Sequence, residues 1–222
     1  MSDSPTDDSI TAAEFHNAPG VSAWRITGHG TDAVYRARSL AHAASLVDAV
    51  VTAADAARLT VDIDVRPDAI RVSIPWLGGE GVPAAASGFA AEVSRAASER
   101  GLTENPAAVQ SIGIYVAQQS GADVRPFFLA ALGYDPLGEG DAVDPLRRGP
   151  GLAFNPITGD AAGRGRTHVD VYVPADQAQA RVDAALAAGG RLVDDTNAPA
   201  FWSLASPENH GVDIAAWPDG GA

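Results

Sequence analysis

Residues 167–173 read Thr-His-Val-Asp-Val-Tyr-Val, so that Val169, Val171 and Val173 share one side of a strand and His168, Asp170 and Tyr172 the other. A strand with this alternation turns one face to a core and leaves the other for polar groups. The residues downstream of it set the fold. Residues 175–188 have a helical pattern that stops at Gly189-Gly190, and short strands are expected near 191–194, 200–204 and 211–217. The same order occurs once before: a strand at 111–117, a helix at 123–132 ending at Gly133, and short strands near 139–143 and 150–155. A βαβββ unit written twice is an internal repeat, with the Gly-, Thr- and Arg-rich stretch 157–166 as its linker.

Upstream the pattern is different. Residues 1–9 are small and acidic, without periodicity, and are predicted to be a disordered tail. Thr11 and Glu14 form a capping-box signature for a short helix over 11–16. Strands over 23–27 and 33–38 flank a turn at His29, and Ser39 caps an Ala-rich helix over 40–57. Two further strands, 59–65 and 69–74, turn at Arg66-Pro67-Asp68, and a second long helix covers 84–100 and ends at Gly101. The predicted class is α+β: an N-terminal antiparallel sheet with two long helices, over 10–105, followed by paired βαβββ units over 110–217. Glu104-Asn105-Pro106 marks the boundary.

Composition limits the chemistry. The 222 residues contain no cysteine, which excludes disulfides, thiolate metal sites and cysteine nucleophiles. All 15 basic residues are arginine, so lysine Schiff bases and a P-loop lysine are excluded. The net charge of −13 repels phosphate backbones and anionic lipid, so neither nucleic acid nor a membrane is an expected partner. The acidic start is unlike a signal peptide, and no run approaches the roughly 18 to 20 apolar residues needed to span a bilayer, which gives a cytoplasmic expectation.

Two resemblances add to this reading. Residues 54–74, from Ala54-Asp55-Ala56-Ala57-Arg58-Leu59-Thr60-Val61-Asp62 to Ile74, resemble the core of pterin-4a-carbinolamine (4a-hydroxytetrahydrobiopterin) dehydratases, and the likeness extends over about 10–105. It implies a pterin-like ligand and a dehydratase, that is, lyase activity, and a homodimer. The family's His-His-Pro triplet falls on Leu59, Thr60 and Val61, and its third histidine near Leu77, so none of the proton-exchanging imidazoles is kept. Asp62, Asp64 and Arg66 remain, on one strand face, as groups for a polar ring or for solvent.

Residues 110–217 resemble the vicinal-oxygen-chelate superfamily of glyoxalase I, bleomycin-resistance proteins and extradiol dioxygenases. The likeness rests on Pro126–Tyr134, Arg166–Val171, Ala187–Val193 and Trp202–Gly211. Its metal-binding members use His, Gln or Glu from the first and last strands of each unit. His168 falls on one such position, whereas Gly211, Ser111 and Phe154-Asn155 fall at the others, so no metal and no cofactor is expected. The domain order resembles a group of bacterial proteins with a dehydratase-like domain before a glyoxalase-like one, many of which keep the residues absent here.

The pocket candidates are therefore Asp62, Asp64, Arg66, His168, Asp170, Tyr172, Trp202 and Asp213, with the catalytic residues left unassigned. Asp213 can face the same cavity as His168 or solvent, and Trp202 and Trp217 read first as core. Three functions stay open: a degenerate two-domain protein that binds or transforms a small organic molecule without metal, a lyase working through Asp62, Asp64 and Arg66, or a structural dimerisation protein.

Overall fold

The structure is a computed structural model and describes residues 9–76, 81–118, 123, 125–156, 167–205 and 211–216. The chain divides into two compact units, the first running to Val109 and the second spanning Gln110–Ala216.

In the first unit, β1 (Ser9–Ile10) pairs with β6 (Val82–Pro83), so Ser9 belongs to a strand and not to the expected tail, whose other residues lie outside the described ones. Helix α1 (Ala12–His16) has the full capping box: Glu14 N–H donates to Thr11 Oγ1 at 3.2 Å and Thr11 N–H to Glu14 Oε2 at 2.8 Å. Strands β2 (Trp24–Thr27), β3 (Gly30–Arg36), β4 (Asp62–Val65) and β5 (Ala69–Pro75) form an antiparallel sheet in the order β2-β3-β5-β4, with β7 (Thr103–Glu104) beside β3. The helix expected over 40–57 is two helices, α2 (Leu40–Ala44), capped by Ser39, and α3 (Val47–Ala57). The break falls where the Ser45 hydroxyl donates to His42 O at 2.7 Å, a local bond that competes with helix continuation.

Contrary to the expectation that no run approaches spanning length, Leu40–Ala57 as a whole is long and apolar enough, by length and composition, to cross a membrane, because its alanines and valines are interrupted by few charges. In the fold one side of it packs into the core, with Ala43, Leu46, Val50, Ala53 and Ala54 buried with α4 (Ala86–Glu99) and the sheet, while Leu40 and Val51 are exposed. Trp24, buried in that core, donates from Nε1 to Ala90 O at 3.1 Å and Ser94 Oγ at 3.2 Å. Tyr35 hydroxyl meets the same Ser94 Oγ at 3.1 Å, so two large aromatics are buried with their polar tips satisfied.

The second unit holds the repeat. Its first half is β8 (Ser111–Gln118), α5 (Arg125–Leu132), β9 (Asp135–Leu137), β10 (Asp141–Val143) and β11 (Gly151–Pro156). Its second is β12 (Thr167–Tyr172), α6 (Ala175–Ala187), β13 (Arg191–Asp194), β14 (Phe201–Ala205) and β15 (Gly211–Ala215). Together they form an eight-stranded sheet, β13-β14-β15-β12-β8-β11-β10-β9, among the described residues. First and last strands run parallel within each half, and the halves join through antiparallel β8 and β12. Strand β9 goes beyond the expected elements, because Asp135 and Pro136 carry a turn composition. The linker 157–166 lies outside the described residues.

Candidate functional site

His168, Asp170 and Tyr172 alternate along β12, a strand paired on both sides, so the flanking ladders decide what stands beside them. On one side Tyr115 is opposite His168, Gly113 opposite Asp170, and Ser111 opposite Tyr172. On the other, Asp213 of β15 is level with Asp170. Two carboxylates side by side on one sheet face repel one another unless a cation stands between them. Imidazole Nε2 of His168 stands beside both, 3.1 Å from Asp170 Oδ1 and 3.6 Å from Asp213 Oδ2, and it carries charge there only when protonated. Asp170 is 8% exposed, and Ser203, opposite Asp213 on β14, and Ser111 are buried as well. The hydroxyl of Ser111 is buried without a hydrogen-bond partner.

Two phenols complete the face. Positions 115 and 172 are four residues apart along the ladder, roughly 13 Å, yet their hydroxyls meet at 2.9 Å. Between them β8 has Gly113, whose lack of a side chain leaves the space open. The Tyr115 ring also stacks on His168, with centroids 5.2 Å apart and planes at 22°. Burial, first, pushes both phenols above the ordinary tyrosine range. The nearby Asp170 carboxylate adds to the effect at each, and the bond to Tyr115 adds at Tyr172.

One imidazole nitrogen and two carboxylate oxygens, all within 4.8 Å of one another, are a donor set that suits a divalent ion. The distances from His168 Nε2, 3.1 Å and 3.6 Å, approach the roughly 3 Å edge of a coordination shell with bonds of about 2.1 Å. The metal-free expectation rested on Gly211 at the last-strand position, whereas the carboxylate that joins His168 is Asp213, two residues further along the same strand.

The remaining candidates are elsewhere. Trp202 is level with Ile214 on the opposite face of the sheet and packs with Val173, Val182 and Leu204 in the core, away from the His168 cluster. Trp217 and His210 lie outside the described residues. In the first unit Asp62 and Asp64 share the sheet face away from the helices, since Ile63 and Val65 pack into the core. Arg66, just past β4, donates to Asp64 from Nε at 2.8 Å and from Nη2 at 3.0 Å, an exposed pair in which each group satisfies the other. A cavity of that unit is lined instead by Leu59, Thr60 and their neighbours.

Sequence reasoning missed Tyr115. The signal was present: Ser111-Ile-Gly-Ile-Tyr-Val116 repeats the frame of His168-Val-Asp-Val-Tyr-Val173, with Tyr115 at the place of Tyr172.

A family model described as a glyoxalase-like domain matches residues 114–215. A solved structure, the crystal structure of a glyoxalase/bleomycin resistance protein/dioxygenase superfamily member from Vibrio splendidus 12B01, is similar at 13% identity and a TM-score of 0.29. That match covers 49% of this chain and 100% of that one. No curated protein matches the chain. With β8 to β15 arranged as two joined βαβββ halves and the family model spanning both, residues 114–215 are a glyoxalase-like, vicinal-oxygen-chelate domain.

Proposed function

We propose that the second unit binds, or chemically transforms, a small organic molecule on the sheet face that carries His168, Asp170, Asp213, Tyr115 and Tyr172. The observation behind this reading is the convergence of two carboxylates on one imidazole nitrogen at a mostly buried place in the sheet. A carboxylate held out of water costs stability unless a permanent cation such as an arginine pairs with it. Imidazole is the side chain that gives and takes protons near neutrality, so His168 is the acid–base group and Asp170 and Asp213 orient it. The two phenols, kept protonated by burial, offer hydrogen bonds to a ligand oxygen. The reading needs no metal. A divalent ion held by His168, Asp170 and Asp213 would add polarisation of a ligand oxygen.

The finer assignment of the first unit belongs to the same proposal: a dehydratase-like domain, in a cytoplasmic protein, that has given up pterin dehydration. It is supported by the helix pair, the hairpin of β4 and β5, and the presence of Leu59, Thr60 and Val61 where the imidazoles would stand. A lyase working through Asp62, Asp64 and Arg66 has no comparable observation behind it, because Asp64 and Arg66 neutralise each other in the open.

A thermal-shift screen against divalent ions, pterins and small organic molecules tests the reading, since a ligand of the native state raises Tm by mass action. Organic ligands that stabilise the protein but not His168→Ala are the expected result. A shift from a divalent ion alone, lost in His168→Ala, would make the cluster a metal centre. A pterin shift indifferent to His168 would move the working site to the first unit, and no shift from any class would overturn the proposal.

A further inference from the structure

The first unit contains a cavity of about 320 Å3 between the end of α3, the end of β5 and β6. Among the described residues its walls are mainly apolar, with Leu59, Ile74, Trp76 and Val82, while Thr31, Thr60 and Arg58 bring the polar groups. Arg58 is unusual in its backbone. As the residue that closes α3 it has φ 55° and ψ 39°, the left-handed region that glycine occupies without strain and arginine does not. Glycine would end the helix equally well, so the side chain is what this position contributes. That side chain is exposed, and among the described residues no hydrogen bond or ion pair engages its guanidinium. In a chain of net charge −13, where carboxylates outnumber arginines by 28 to 15, a guanidinium at an apolar cavity with no partner among the described residues is a specific feature.

We propose that this cavity binds a small carboxylic acid with an apolar body, its carboxylate on Arg58 and its chain or ring against Leu59, Ile74 and Trp76. Arginine is suited to this because its fork matches a carboxylate in two parallel hydrogen bonds. The volume lies at the low end of the roughly 300–1,000 Å3 of small-molecule sites, which selects an acid of roughly eight to ten carbons over a large cofactor. The site is separate from the His168 cluster and stands or falls without it.

The test is titration calorimetry of the full chain with octanoate, with 1-octanol as the uncharged control. Octanoate saturates one site and binds at least tenfold more tightly than octanol. Arg58→Gly, which relieves the left-handed strain, keeps or raises Tm while weakening octanoate at least tenfold and leaving octanol unchanged; Arg58→Asn, also tolerant of this backbone, behaves alike. Val82→Trp, which fills the cavity, removes both ligands, and His168→Ala leaves both in place. Equal affinity for octanoate and octanol, undiminished octanoate binding in Arg58→Gly, or no saturable octanoate binding would each overturn the assignment.

Discussion

At Asp32 a carboxylate is fully buried on the first unit's outer sheet face, where Arg71 donates to it from Nε at 3.0 Å and from Nη2 at 2.7 Å. Thr27 Oγ1 adds a third bond to the same carboxylate at 3.3 Å. Removing one partner leaves a charge out of water, which costs more than the pair gains by forming. Arg71→Met is expected to lower stability by about 2–3 kcal/mol in urea unfolding, below the roughly 3–5 kcal/mol of a fully buried pair because Arg71 is 38% exposed. Replacing Asp32 with Leu at the same time should restore part of the loss. The tyrosines give a second expectation at this scale. Burial pushes Tyr35 up to about 12, and Tyr115 and Tyr172 are raised for the same leading reason. The unfolded chain releases these protons near pH 10 while the folded chain retains them, so their contribution is complete below about pH 10 and falls as the pH rises beyond it. Tyr35→Phe should flatten that alkaline decline by up to about 1.4 kcal/mol per pH unit, read as urea midpoints between about pH 9 and 11.5.

Among the elements, the hairpin of β2 and β3 depends on Gly30. A Cβ there would stand 2.4 Å from the carbonyl oxygen of Ile74 on the neighbouring strand, and φ is +153°. Backbone faces backbone, so neither side can yield. Gly30→Ala should cost at least about 2 kcal/mol, measured by thermal unfolding. His42 joins two helices: Nδ1 accepts from Arg38 N–H at 3.1 Å and Nε2 meets Arg100 O at 2.9 Å, tying the start of α2 to the end of α4. His42→Ala should lower the midpoint of urea unfolding by the equivalent of about 1–2 kcal/mol. These elements were legible to different degrees. Period-two and helical patterns placed the longer strands and the helices of both units within a few residues but not the short strands β1, β6, β7 and β9, and the Thr11 capping box was readable because it is purely local. The interruption at Ser45 was not, since it depends on one hydroxyl choosing a carbonyl. The His168 cluster was half legible: alternation put His168, Asp170 and Tyr172 on one face, but which strand lies beside β12, and in what register, is decided by distant pairing. That pairing brings in Asp213 and Tyr115 and leaves Trp202 on the other face.

For the whole molecule, two units with separate cores predict unfolding in two steps. Among the described residues the first unit gathers Phe15, Trp24, Tyr35, Phe89 and the helix pair into one cluster, while the second splits its buried side chains between a cluster around Trp202 and another around Phe154. The second unit should therefore melt first in scanning calorimetry, and a single transition would contradict that independence. The outermost strands of the eight-stranded sheet have a consequence of another kind. Strand β13 is exposed along its whole length and has a register shift between Leu192 and Asp194, and β9 carries Pro136, which has no N–H to offer. Both borders are thus poor templates for a further strand. An open sheet with smooth borders could grow by stacking molecule on molecule into fibres; this one is terminated at either end by its own irregularities. Asp135→Val with Pro136→Val should expose a templating border, seen as light scattering and thioflavin binding at concentrations where the parent chain stays clear.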